Sequence, residues 1–152
     1  MPNHIANSIA NDIINGTAGE TRVTVRRDTD TVIACQRGHA LAAQLGLSSN
    51  DQVVVVIAIS EVACNIIEHA GCGEIILNSV YQDGKRGIAV VARDEGPGIP
   101  DIKHALQDGY STGEGLGLGL SGAKRLMDEF EIVSQVGKGT TVKMKKWKRE
   151  HE

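Results

Sequence analysis

The sequence predicts an α+β fold, a two-layer sandwich in which a mixed, mostly antiparallel sheet is covered on one face by helices. Three observations carry that expectation. Helical patterning dominates from Asp30 to about Gly71, and paired strand patterns with hairpin links follow it. An Asp-Gly pair, Asp83-Gly84, stands between two alternating apolar runs and marks a tight turn. A glycine run, Gly113, Gly115, Gly117 and Gly119, then opens another helix.

In chain order, residues 1–20 are rich in Asn, Gly, Thr and Ala and carry a weak apolar set at Ile5, Ile9, Ile13 and Ile14. They read as an N-terminal extension, and residues 21–150 as one domain. Thr21 to Arg27 alternates as a half-buried strand does, with Val23 and Val25 on one side. From Asp30 the period becomes helical, placing Val32, Ile33, Ala40, Leu41 and Leu45 on one broad face that Gly46 closes. Ser48 or Ser49 caps a second helix, with Asp51 or Gln52 as its capping-box partner.

The run Val53 to Ile59 is β-branched, but Ile57, Glu61, Asn65 and Glu68 recur along one helical stripe. Glu61 and Asn65 are either exposed polar residues on that stripe or a buried pair, which is costly without partners. Gly71 and Gly73 end the helix. Glu74–Tyr81 and Gly87–Arg93 read as strands, the second delivering Asp94 at its end. A short helix from Pro100 to Leu106, a mobile loop at Tyr110–Gly115 and a helix carrying Leu118, Ala123, Leu126 and Met127 toward the sheet come next. Glu131–Val136 and Thr140–Trp147 form a last hairpin around Gly137-Lys138-Gly139.

Composition narrows the function. Net charge is −3, without the basic surplus of a nucleic-acid binder, and the basic stretch Lys143 to Arg149 reads as a solvated strand edge. Aromatics make up 3% of the chain, so the core is expected from Val, Ile, Leu and Ala. No apolar run approaches the roughly 20 residues of a membrane span, and no signal-peptide pattern is visible. Cys35, Cys64 and Cys72, odd in number and set among apolar neighbours, read as reduced, mostly buried thiols of a cytoplasmic protein. His69 and Cys72 have no matching second pair for a metal site.

The stretch from Asp94 to Leu120, DEGPGIPDIKHALQDGYSTGEGLGLGL, concentrates the chemistry. Glycines without Cβ let backbone N–H groups approach a ligand, and phosphate oxygens are the usual partners of such donors at a helix start. An acid in a glycine turn followed by a glycine-rich loop that opens a helix reads as a nucleotide site.

The order of Glu61 with Asn65, Asp94-x-Gly96-x-Gly98 and the Gly113–Gly119 loop resembles the ATP site of the GHKL superfamily, the Bergerat fold, over about Thr21 to Trp147. SEVACNI, DEGPGIPD and DGYSTGEGLGLGLSGAKRLMDEF look like the small anti-sigma-factor kinases, and among them the RsbT-type switch kinases of the stressosome.

That resemblance implies MgATP as cofactor. Asn65 then holds Mg²⁺, Glu61 is the general base, Asp94 accepts from the adenine amino group, and Gly96 and Gly98 give the base room. Gly113, Gly115, Gly117 and Gly119 form the lid over the phosphates, and Thr140 lies on the adenine side. The activity implied is serine/threonine kinase action on STAS-domain antagonists, with a PP2C-type phosphatase activated on release. An anti-sigma factor that sequesters a sigma factor is the same-class alternative, and a non-catalytic ATP-gated binding module is the second. No nucleic acid and no membrane partner is expected.

Overall fold

An αα-hairpin and two β-hairpins build the molecule. The computed structural model describes residues 20–106 and 119–149. The elements are β1 (Thr21–Val25), α1 (Asp28–Gln44), α2 (Ser49–His69), β2 (Gly73–Gln82), β3 (Lys85–Asp94), α3 (Ile102–Ala105), α4 (Gly119–Leu126), β4 (Glu129–Gln135) and β5 (Gly139–Trp147). The sheet order is β1-β2-β3-β5-β4.

Among the described residues every ladder is antiparallel, where a mixed, mostly antiparallel sheet was expected. Chain reversal explains it. The α1–α2 hairpin returns the chain so that β2 runs against β1, and β2–β3 and β4–β5 are direct hairpins. Asp83 and Gly84 turn the first hairpin with φ of 54° and 79°, the doubly left-handed backbone of a two-residue turn.

Register decides which side chains meet the helices. Val23, Ile75, Ala92, Val142 and Ile132 form one row across all five strands. Leu77, Val90, Met144 and Phe130 form the next, and Ser79, Ile88 and Lys146 a third. Against these rows pack Val55, Ala58, Ile59, Val62, Ala63 and Ile66 of α2, with Leu120, Ala123 and Met127 from the α4 segment. The fully buried side chains are aliphatic apart from Met144, as the aromatic-poor composition requires. On the opposite face Glu74 holds Arg93 at 2.6 Å and Arg22 at 3.2 Å.

Helix α1 starts two residues before Asp30. Asp30 accepts the backbone N–H groups of Arg26 at 2.9 Å and Arg27 at 3.2 Å, and these bonds hold its carboxyl below the usual range. Of the expected face, Leu41 and Leu45 meet the core and the rest do not. Val32 and Ile33 are exposed, Ala40 also, and the buried residues are Ala34, Gly38 and Ala42. Small residues at every fourth position let α1 approach α2 closely, and a Cβ at Gly38 would overlap Ile59 Cδ1.

Helix α2 is capped by Ser48, whose Oγ accepts from Asp51 N at 3.1 Å. Asp51 turns to Lys146 and Arg149, and Gln52 Nε2 donates to Leu47 O at 2.9 Å. At 21 residues α2 is long and apolar enough to cross a membrane by length and composition, a correction to the sequence reading. Val55, Ala58, Ile59, Val62, Ala63 and Ile66 of this helix are buried in the core, while Val53 is exposed.

Strand β5 lies between β3 and β4, which corrects its reading as a solvated edge. Alternation turns Met144 and Lys146 toward the helices and leaves Lys143 and Lys145 on the other face. The short helix begins at Ile102 rather than Pro100. The loop placed at Tyr110–Gly115, and Leu118, lie outside the described residues.

Candidate functional site

One pocket opens where the C-terminal half of α2 meets the turn after β3 and the start of α4. It is lined by Glu61, Cys64, Asn65, Glu68 and His69 of α2, by Gly98, Ile99 and Pro100, by Ala105, and by Gly119 and Leu120. Helical spacing puts Glu61, Asn65 and Glu68 on the same stripe, so all three reach it. Glu61 is only 3% exposed, which decides between the two readings of that stripe. Its Oε1 accepts the backbone N–H of Gly119 at 3.1 Å. That N–H belongs to the first turn of α4, where a negative charge is favoured by orphan donors and the helix dipole. Asn65 is half-buried on the same wall.

Asp94, Gly96 and Thr140 adjoin this pocket without being among its lining residues. Asp94 is 8% exposed at the end of β3, and its Oδ1 accepts Gly96 N–H at 2.9 Å. Thr140 stands opposite it on β5. The Thr140 hydroxyl lies 2.8 Å from Ser134 Oγ, which in turn accepts Ile99 N–H at 2.7 Å and lies 3.3 Å from the carbonyl of Gly139. A serine has one proton to give. With Ser134 donating to Gly139, Thr140 donates to Ser134 and keeps its acceptor lone pairs.

The glycines of the turn have a reason that the sequence reading did not supply. A Cβ on Gly96 would strike Ala70 at the end of α2, and one on Gly98, at φ 82°, would strike the Gln135 carbonyl. The space is taken by protein, so these glycines dock the turn against α2 and the β4–β5 turn. Gly137 N–H closes the contact by donating to Pro97 O at 2.8 Å. Gly73 is needed for the same kind of approach, to the Arg93 carbonyl.

Gly139 is the most constrained of the set. Its φ is 113°, and a Cβ there would overlap the Asp94 carbonyl. Gly139→Ala is therefore expected to cost about 3 kcal/mol of stability from backbone strain alone, read as a lowered urea midpoint.

Gly113, Gly115 and Gly117 lie outside the described residues, and Gly119 alone of the run is placed, at the start of α4. Ser134, Ala70 and Gly73 were missed as site residues. Only Gly73 carried a signal, as one of two glycines bracketing Cys72.

The cysteines differ from expectation in exposure. Cys72 is exposed in the α2–β2 connection, while Cys35 and Cys64 are half-buried. Burial, with Cys64 nearby, pushes the Cys35 thiol up to about 11. Burial pushes Cys64 upward as well, assisted by the Glu61 and Glu68 carboxylates. Neither thiol is poised as a nucleophile.

The donor set fits a nucleotide and a hard cation. A carboxylate and an amide oxygen share one wall of the pocket, the first turn of a helix faces them, and a nearly buried carboxylate waits at the end of β3.

The histidine kinase-like ATPase domain family matches residues 24–146. The serine/threonine-protein kinase RsbT of Bacillus subtilis (strain 168) is 46% identical over 127 residues, covering 84% of this chain and 96% of that protein. An anti-sigma F factor of Caldanaerobacter subterraneus subsp. tengcongensis is 37% identical over 114 residues, 71% of this chain and 78% of that protein. The anti-sigma F factor of Geobacillus stearothermophilus is 34% identical over 114 residues, 70% and 77% of the two chains. With its antiparallel sheet, its helical cover and a carboxylate–amide pair on α2 beside the start of α4, this chain belongs to the histidine kinase-like ATPase family, in the branch that holds RsbT and the anti-sigma F factors.

Proposed function

We propose that the chain is an ATP-dependent protein serine/threonine kinase of a bacterial partner-switching pathway, of the RsbT type. Its substrates are Ser or Thr residues of STAS-domain antagonists, and a PP2C-type phosphatase is the partner it activates once released. The observation that carries this reading is Glu61, a carboxylate 3% exposed, oriented by the first N–H of α4 and set one turn before Asn65 on the same pocket wall.

Each residue then has a task. Asp94 takes a hydrogen bond from the adenine amino group, with Thr140 beside it. Asn65 offers its amide oxygen to Mg²⁺. The glycine run from Gly113 to Gly119 serves as the lid over the phosphates. Glu61 receives the proton of the attacking hydroxyl as its oxygen bonds to phosphorus and the bond to the ADP oxygen breaks. When bound, MgATP supplies the transferred phosphoryl group and the cation that neutralises its charge.

The anti-sigma alternative is favoured by the similarity to anti-sigma F factors, and it differs in one partner, a sigma factor. Glu61 speaks against the purely nucleotide-gated module, because a pure binder needs no base beside the Mg²⁺ ligand. Transfer of label from radioactive MgATP to a panel of STAS-domain proteins separates the three. Label on a STAS Ser or Thr supports the kinase. Sigma capture beside such transfer moves the reading to the anti-sigma factor, and nucleotide binding with neither result leaves the binding module.

A further inference from the structure

The buried ammonium of Lys146 stands at the far end of α4 from Glu61. Residue 146 is 4% exposed and lies on the helix-facing side of β5, where its register partner on β3 is Ile88. Its Nζ donates to the Leu126 carbonyl at 3.1 Å and to Asp128 Oδ1 at 3.4 Å, and it lies 3.9 Å from Asp51 Oδ1. Leu126 is the last residue of α4, so the ammonium sits where orphan carbonyls and the negative end of the helix dipole favour a cation.

Asp51, itself 2% exposed, belongs to the first turn of α2 and is also held by Arg149 at 3.2 Å. Asp128 is fixed in turn, because its Oδ2 accepts Trp147 N–H at 2.8 Å. Helix α4 is thus fastened to α2 at both ends. Its first N–H meets Glu61 directly, and its last carbonyl reaches Asp51 through Lys146.

A helix of eight residues is short enough for a shift at one end to be felt at the other. A buried charge has few places to go, and Lys146 fills a position between α2, α4 and β5 that an apolar residue could also fill. Replacing a whole buried ion group by apolar residues is often tolerated, whereas removing one partner alone is costly. What the lysine adds is a directional hold on one backbone carbonyl.

We infer that Lys146 is a positioning residue for the nucleotide site: by anchoring the C-terminus of α4 it sets where the Gly119 N–H meets the Glu61 carboxylate. The catalytic half of this inference rests on the kinase reading above, but the positioning half does not.

The test is therefore in two parts, on the full chain. In ¹⁵N-labelled protein the Gly119 amide resonance is located by its displacement in Glu61→Gln. Lys146→Met is expected to displace the same resonance, although residue 146 touches neither group, and Lys146→Arg to return it most of the way. Asp128→Asn serves as the milder variant should Lys146→Met fail to fold, with a smaller displacement in the same direction. An unmoved Gly119 amide in a folded Lys146→Met or Asp128→Asn protein overturns the inference.

In the transfer assay kcat is expected to fall about tenfold to a hundredfold in Lys146→Met, the range for a small misplacement of reacting groups, with KM for the protein substrate unchanged. If the amide moves but wild-type protein transfers no phosphate, the kinase reading fails and the positioning role stands. If the amide moves and kcat of Lys146→Met equals that of wild type, the claim that this hold serves the site is overturned.

Discussion

Glu61→Gln is expected to bind MgATP as tightly as wild type and to transfer phosphate about 10²–10⁴-fold more slowly, the range for loss of a general base. The substitution keeps shape and an acceptor oxygen toward the Gly119 N–H, so α4 need not move. It removes the group that receives the proton of the incoming hydroxyl. Isothermal titration with ATP and single-turnover transfer to a STAS protein measure the two halves separately. Equal transfer rates would assign Glu61 to structure alone, as the acceptor that fastens the start of α4. A loss of both binding and transfer would show that the carboxylate shapes the pocket rather than the reaction.

Asn65→Ala is expected to weaken MgATP binding about tenfold to a hundredfold, the order for removing one hydrogen-bonding or ligating oxygen from a charged group. Stability should change little, because Asn65 is half-buried on the pocket wall and outside the aliphatic core. The discriminating measurement is titration with ATP in the presence of Mg²⁺ and again with a chelator. The difference between wild type and variant should collapse when the cation is withdrawn. A difference that persists without Mg²⁺ would place Asn65 on the nucleotide itself, and unaltered binding in both would remove it from the site.

Much of the fold was legible because its turns carry strong local chemistry. Asp83-Gly84 and the Gly137–Gly139 stretch fix two hairpins, and the strand alternation between them needs no tertiary information. The buried face of α1 was not legible in the same way. Hydropathy ranks Val32 and Ile33 above Ala34, Gly38 and Ala42, yet close approach of two helices selects for small size. Lys146 was hidden for a different reason. A lysine among four basic neighbours reads as solvated until Asp51 and Asp128, distant in sequence, are brought beside it.

The site divides along the same line. Spacing alone placed Glu61 and Asn65 on one stripe, but the burial of Glu61 depends on Gly119, which no local pattern connects to it. Gly96 and Gly98 stood out by pattern, but that their missing Cβ atoms make room for Ala70 and Gln135 needed the fold.

The pairing of Asp94 with Thr140 has a thermodynamic consequence. It closes the chain from Glu95 to Gly139, which carries α3, α4 and the edge strand β4, into one long connection between two neighbouring strands. The entropy of closing such a loop grows only with the logarithm of its length, about 0.6 kcal/mol for a doubling. Residues can therefore be added to or taken from the segment between α3 and α4 at little cost to the sheet. Changes of length there leave the pairing of Asp94 with Thr140, and the strands that carry them, as they are.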